Sequence, residues 1–386
     1  MAEAYIVSAV RSPVGRRGGG LSGVHPADLS AHVMRAAVGR TQIDPQAVED
    51  VIWGCVDQIG AQATNIGRTG WLSAGLPDSV PGTTIDRQCG SSQQAVSFAA
   101  YGVLSGQQDL VLAGGVEVMS LVPIWSPAAV GSAQGLGDPF AGEGWQARYG
   151  AEEVSQFYGA ELIADRFGIT REDMERLALA SHQRAIAATA QGAFQAEIAP
   201  YAAAGGLVSV DEGPRPDTTL EKMATLKTVR EGGRVTAAVS SQVSDGAAAL
   251  LIASQSAVRE HGLTPLARIH ALTVVGSDPI VMLDGPIPAT AKVLARAGLG
   301  IDEIDHFEVN EAFAPVVLGW LAATGADPER TNPLGGAIAL GHPLGATGAR
   351  LMVTMVHALR RGGGRFGLQT MCEGIGMSNA TVIERC

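Results

Sequence analysis

The sequence predicts an α/β protein of layered sheets and helices, built from two similar halves. Three observations lead there. Short apolar runs alternate with helical stretches along the chain, which is the pattern of α/β layers. The stretch CGSSQQAVSFAAYGVLSGQQDLVLAGG, residues 89–115, is echoed by GATGARLMVTMVHALRRGGGRFGLQTMCEG, residues 345–374: a small-residue turn, a helix, a break and an apolar strand. Repetition of this kind fits two units related by a pseudo-twofold axis. Finally, 386 residues exceed one ordinary core and allow two or three units.

Taken in order, residues 4–10 (AYIVSAV), 50–56 (DVIWGCV) and 109–113 (DLVLA) read as strands, and 27–40 and 91–105 as helices. The run 91–105 carries little charge on any face, so it is expected as a central helix buried between layers. Residues 118–243 differ. They hold the Pro/Gly-rich SPAAVGSAQGLGDPFAGEG, a charged helix near 152–191 and the loop DEGPRPDTTLE. An insertion of this size over one face of an α/β core is a natural substrate cover, though an ordinary third domain also fits.

Composition narrows the function. With 46% hydrophobic and 17% charged residues the chain folds into packed cores. Gly 50 is about twice the usual ~7% and implies many tight turns. A net charge of −11 argues against nucleic acid as partner. A small phosphorylated ligand needs only a local cluster, for which Arg11, Arg16, Arg17 and Arg215 are candidates; each taken singly also reads as a solvated surface arginine. Cys55, Cys89, Cys372 and Cys386 have neither metal-ligand spacing nor the density of a disulfide framework, so no metal is expected and the compartment is reducing. No run approaches a membrane span, no signal-peptide core precedes residue 4, and cytoplasm is the default.

Four stretches carry the chemistry. In TTIDRQCGSSQQAV, residues 83–96, Cys89 sits where a strand gives way to a helix. Alone, this reads as packing, because free Cys is commonly buried. Asn310 and Glu311 follow the short strand HFEV, His342 lies between Gly341 and Pro343, and Cys372 closes GLQTM before two glycines. Two thiols and an imidazole at strand or loop ends fit a nucleophile, its base and a separate acid/base group. A free thiol titrates near ~8.5, and a helix N-terminus contributes roughly 2 kcal/mol at best, which brings Cys89 only to about 7. A neighbouring imidazole such as His342 is therefore expected to take the proton. Backbone N–H groups near Gly90, Gly374 and Gly376 are placed to hold an oxyanion.

R-S-P-V-G at 11–15, C-G-S-S at 89–92, N-E-A-F-A at 310–314, G-H-P-L-G-A-T-G-A-R at 341–350 and C-E-G at 372–374 resemble, in order, the signature segments of the thiolase family. The resemblance implies a five-layered αβαβα fold of two pseudo-symmetric halves with an inserted loop domain. Residues 1–117 plus 244–264 would form the first half, 118–243 the loop domain and 265–386 the second. It also implies a homodimer or homotetramer that takes acyl-CoA and CoA, with coenzyme A as substrate and no permanently bound cofactor. The implied reaction is cleavage of 3-ketoacyl-CoA by CoA, or the reverse Claisen condensation.

By the same resemblance, Cys89 matches the acyl-accepting nucleophile and His342 the imidazole that activates it. Cys372 matches the thiol that moves a proton at the α-carbon of the acetyl unit. Asn310 matches the residue that forms, with a water and His342, the enolate oxyanion hole. The N–H groups of Cys89 and Gly374 match the second hole. Arg215 matches a CoA nucleotide contact, Ser241 a pantetheine contact, and Met282 and Phe313 apolar tunnel residues. Three departures stand out: Ile375 replaces a common glycine, Ser92 another, and SQFYGAE at 155–161 lacks the His-Met of short-chain biosynthetic members. They point to a degradative enzyme for a longer or bulkier acyl group, and the chain looks closest to actinobacterial degradative members, some of which handle steroid side chains. The alternatives are a biosynthetic acetoacetyl-CoA-forming thiolase and a catalytically silent acyl-CoA-binding homologue. A ketoacyl synthase pairs its Cys with two histidines, and a dinucleotide oxidoreductase needs a G-x-G-x-x-G between a strand and a helix with an acidic residue ~20 further on, a combination not found here.

Overall fold

Strand β1 (Ala4–Arg11) enters the core at once, buried at every residue but Tyr5. There follow β2 (Gly15–Arg16), α1 (Pro26–Gly39), β3 (Asp50–Gly54), α2 (Ile66–Ser73), β4 (Gly82–Ile85), α3 (Ser91–Leu104) and β5 (Leu110–Val118). Next come α4 (Ser126–Ala133), α5 (Glu143–Tyr149), α6 (Gln156–Phe167), α7 (Arg171–Ala190), the hairpin β6 (Tyr201–Ala203) and β7 (Gly206–Val208), and α8 (Leu220–Ala224). After β8 (Ser244–Ser254) and α9 (Gln255–Glu260), the chain forms β9 (Ala267–Gly276), α10 (Pro286–Ala297), β10 (His306–Val309) and α11 (Ala314–Thr324). It ends with α12 (Ala337–Leu340), α13 (Leu344–Gly362), β11 (Phe366–Glu373) and β12 (Met377–Arg385). The structure, a computed structural model, describes residues 2–150 and 152–386; Met1 in the expected first half and Ala151 in the expected loop domain lie outside the described residues.

Strand order shows the internal repeat directly. The first half runs β4-β3-β5-β8-β1 and the second β10-β11-β12-β9. In each, a parallel pair (β3 with β5, β10 with β11) is followed by two antiparallel pairings. An isolated parallel bridge between Phe307 and Thr331 stands where β4 stands in the first half. The halves meet edge to edge through β1 and β9, paired only at Tyr5–Arg268 and Ile6–Ala267.

Five layers result. On one outer face α1 packs Leu29, Val33 and Met34 against Trp53, Leu112 and Leu251. In the middle, α3 and α13 lie together, with Ala95, Val96 and Ala99 meeting Met352, Val353 and Val356. The small residues of α3 let the two helices approach closely. On the other outer face, Val293 of α10 and Trp320 of α11 cover Phe307, Leu368 and Val382. The central position of α3 agrees with its lack of charge, yet Phe98, Tyr101 and Leu104 form an exposed face three residues apart. The single helix expected near 152–191 is two. Gly168 adopts φ +64° and ends α6, and a Thr170–Asp173 capping box restarts the chain as α7.

The segment between β5 and β8 is tied to β1 by charge. Arg11, fully buried, donates to Glu197 at 2.6 Å and, bidentately, to Asp211 at 2.7 and 2.9 Å. Paired in this way, a buried guanidinium stays ionised and fixes where the segment crosses the core.

Candidate active site

Cys89 sits on an elbow between β4 and α3, and local hydrogen bonds make that elbow. The Asp86 carboxylate accepts from the Gln88 N–H at 2.6 Å. Gln88 takes φ +49°, a left-handed conformation uncommon for a side chain. Ser91 locks the turn by accepting from Arg87 N–H at 2.9 Å and donating to the Gln88 carbonyl at 2.6 Å. A side chain at position 90 would have to displace the buried Glu373, since a Cβ would lie 2.0 Å from its Oε1.

The backbone N–H groups of Cys89 itself and of Gly374 favour the Cys89 thiolate. Burial is the larger effect, followed by the Glu373 carboxylate, and together they push the thiol up to about 12. The helix start, expected to bring it near 7, is outweighed because desolvation of a thiolate exceeds the roughly 2 kcal/mol a helix terminus supplies. Cys372 is fully buried and is likewise raised well above a free thiol by burial, then by Cys89 beside it. Burial also pushes Glu373 up to about 8, against the pull of Arg87.

Cys89, Cys372 and Gly374 line one cavity of about 300 Å³, with Phe157, Met282 and Ile375 among its apolar walls. Among the described residues eight non-glycines have positive φ, and four of them line this cavity: Gln88, Trp125, Met282 and Ile375. Strain at about 1–3 kcal/mol per residue persists where surrounding packing over-determines it, and it gathers at working sites. Ile375, at φ +63°, is the clearest case, since a β-branched residue is poorly suited to that region.

Asn310 and His342 come from the second half. Asn332 clamps the end of β10, accepting from Val309 N–H at 2.9 Å and donating to its carbonyl at 2.8 Å. Gly341, at φ +97°, turns the chain into His342, whose N–H donates to Ser244 Oγ at 3.2 Å. His342 Nδ1 lies 2.6 Å from Thr347 Oγ1, and that hydroxyl donates to the Pro343 carbonyl at 2.8 Å. With its only hydrogen committed, Thr347 accepts from Nδ1–H, which leaves Nε2 as the unprotonated nitrogen. Nε2 faces the Asn310 amide at 3.4 Å. Burial, aided by Arg350, lowers the imidazole to about 3, so it is neutral. Asn310 Oδ1 is buried without a partner among the described residues. Ala312 and Leu344, each two residues beyond this pair, line the same cavity as the two thiols.

The remaining sequence-predicted residues divide. Met282 lines the thiol cavity, whereas Phe313 stands behind it, edge-on to Phe157 at 5.5 Å. Arg215 lies in a second cavity of about 310 Å³ with His182, Asp217, Lys222 and Ser240. Ser241 uses its N–H on the Ala312 carbonyl at 2.9 Å, and it is Ser240 next to it that faces this cavity. Sequence reasoning missed Thr347, although it sits in the GATGAR segment one turn from His342. It also missed Asp57, which carries no motif signal, and Glu373, which lies inside the C-E-G segment but was given no role.

A doubled α/β fold whose halves share one thiol-lined cavity defines an acyl-transferring enzyme of the cysteine type. The family profile described as the thiolase N-terminal domain matches residues 4–256, and that of the thiolase C-terminal domain matches residues 263–385. The chain belongs to the thiolase family. It is 56% identical to the steroid 3-ketoacyl-CoA thiolase FadA6 of Mycobacterium tuberculosis, over 100% of this chain and 95% of that relative. It is 44% identical to the beta-ketoadipyl-CoA thiolase of Pseudomonas aeruginosa, over 99% of each. The crystal structure of human mitochondrial 3-ketoacyl-CoA thiolase superposes with a TM-score of 0.89 at 36% identity, covering 100% of this chain and 99% of that one.

Proposed function

We propose that the chain cleaves 3-ketoacyl-CoA with CoA through an acyl-cysteine intermediate, working in the degradative direction. The observation that carries this reading is a single cavity lined by both thiols, Cys89 and Cys372, together with Gly374.

The Cys89 thiol lies near 12 and the His342 imidazole near 3, so both rest neutral. Proton transfer to His342 Nε2 therefore accompanies attack rather than preceding it. Cys89 Sγ adds to the C3 ketone, and the oxyanion lies on the Cys89 and Gly374 N–H groups. The C2–C3 bond then breaks, its electron pair forming the enolate of acetyl-CoA. Asn310 and protonated His342 stabilise that enolate, and the Cys372 S–H delivers a proton to C2. After acetyl-CoA leaves, the Cys372 thiolate takes the thiol proton of a new CoA. The CoA sulfur attacks the acyl-cysteine and releases a shortened acyl-CoA, and Cys89 leaves as the thiol, recovering its proton from His342.

CoA is the substrate throughout, and this cycle needs no resident cofactor. Arg215 and Lys222 in the second cavity suit its phosphates, Ser240 and Ser241 border the path of its pantetheine arm, and residues 118–243 act as the cover. Exposed Leu72, Phe98, Tyr101 and Leu104, near the edge strand β4, support a homodimer or homotetramer. Among the described residues no helix is long and apolar enough to cross a membrane, and a cytoplasmic site fits the free thiols. The deciding experiment is a profile of CoA-dependent cleavage across 3-ketoacyl-CoA chain lengths. Turnover of longer or bulkier chains is expected; reaction with acetoacetyl-CoA alone would overturn the degradative assignment.

A further inference from the structure

The thiol cavity is apolar over most of its wall, which suits an acyl chain. Besides the neutral Gln88, Ser155 and Gln156, its polar lining includes two carboxyl groups, Asp57 and Asp86. Asp86 is already used, holding the Gln88 N–H in the elbow. Asp57 is different. It is 2% exposed, its Oδ2 has no hydrogen-bond partner among the described residues, and no Arg, Lys or His shares the cavity wall. A buried carboxyl oxygen left unpaired costs about 1–3 kcal/mol or more, so its retention beside a substrate cavity asks for a partner that arrives with the substrate.

We propose that Asp57 is a specificity residue that hydrogen-bonds an uncharged oxygen, a hydroxyl or a ketone, carried by the acyl chain beyond its reacting carbons. The proposal rests on the thiolysis reading and names the substrate class for it: 3-ketoacyl-CoA esters with an oxygenated tail. Burial, then the nearby Glu117 carboxylate, hold the Asp57 carboxyl up at about 7. Both protonation states are thus available near neutrality, one donating to a ketone and the other accepting from a hydroxyl. With no cation in the wall, an uncharged oxygen is the better match than an anionic one. A competing role exists, since the Trp125 and Ser126 N–H groups at the start of α4 also favour the Asp57 anion.

The test separates the two roles by a ratio. Wild-type enzyme, Asp57→Leu and Asp57→Asn are assayed with two 3-ketoacyl-CoA substrates of equal chain length, one plain alkyl and one bearing a hydroxyl or ketone near its far end. In the wild type the oxygenated substrate is expected to have the higher kcat/KM, by about tenfold. Asp57→Leu brings the ratio to about one, and Asp57→Asn, which keeps a donor and an acceptor, retains most of it. A ratio that Asp57→Leu leaves unchanged, with both rates falling together, assigns Asp57 to the support of α4 and overturns the proposal. Equal wild-type rates on the two substrates overturn it as well, leaving thiolysis intact. Absence of cleavage of either substrate overturns the thiolysis reading itself.

Discussion

His342 and Thr347 form a one-way hydrogen bond: Nδ1–H donates to an oxygen 2.6 Å away whose own hydrogen is spent on the Pro343 carbonyl. The imidazole is thereby held in a single tautomer, with Nε2 turned to Asn310. Replacing Thr347 by Val keeps the shape and removes the acceptor. The expected cost is about 1–2 kcal/mol of catalysis, a five- to thirty-fold loss in kcat, with Thr347→Ser restoring most of it. Equal kcat for the Val and Ser variants would show that the tautomer is held by something else.

Cys89 should carry the acyl group. Incubation with acetyl-CoA is expected to add one acetyl mass to the peptide containing Cys89, and Cys89→Ser should abolish the adduct. An acetyl group found on Cys372 instead, or on neither thiol of the folded protein, would remove the basis of the mechanism.

Glu373 should make stability depend on pH. Its carboxyl titrates at about 8 in the fold against 4.5 for an ordinary glutamate. Between those values the native state keeps a proton that the unfolded chain has released, so stability falls as pH rises across that window. Glu373→Gln removes this slope. The Tm difference between variant and wild type should therefore widen in the variant's favour from pH 5 to pH 8; a constant difference would contradict the assignment.

Asp211→Ala should be severely destabilising despite its distance in sequence from β1. The substitution takes two hydrogen bonds from the buried Arg11 guanidinium and leaves Glu197 as its carboxylate partner. Breaking a buried pair of this kind costs about 3–5 kcal/mol, readable as a shift of the denaturant midpoint. A shift of less than about 1 kcal/mol would mean that water replaces the lost partner.

Much of the architecture was legible in the chain. The echo between 89–115 and 345–374 anticipated the repeated strand order, and β1 and α1 lie within a residue of their expected bounds. Cys89 was placed at a strand–helix junction because β-branched residues stop there and small residues begin. Less visible was anything that depends on partners remote in sequence. The break at Gly168 was hidden inside a charge-rich run that has helical character on both sides. Burial decided the Cys89 and His342 proton affinities, and burial is a property of the closed cavity rather than of local letters. Asp57 lies in an unremarkable stretch, and only the cavity shows its carboxyl oxygen to be without a companion.

The two-residue seam between β1 and β9 means that little backbone holds the halves in register; the packed pair α3 and α13 does that instead. Cys89 belongs to one repeat, while Asn310, His342 and Cys372 belong to the other. A nascent chain thus acquires its sulfur nucleophile long before the groups that tame it. Turnover, which needs those later groups, arrives with the final strands as a by-product of completed assembly.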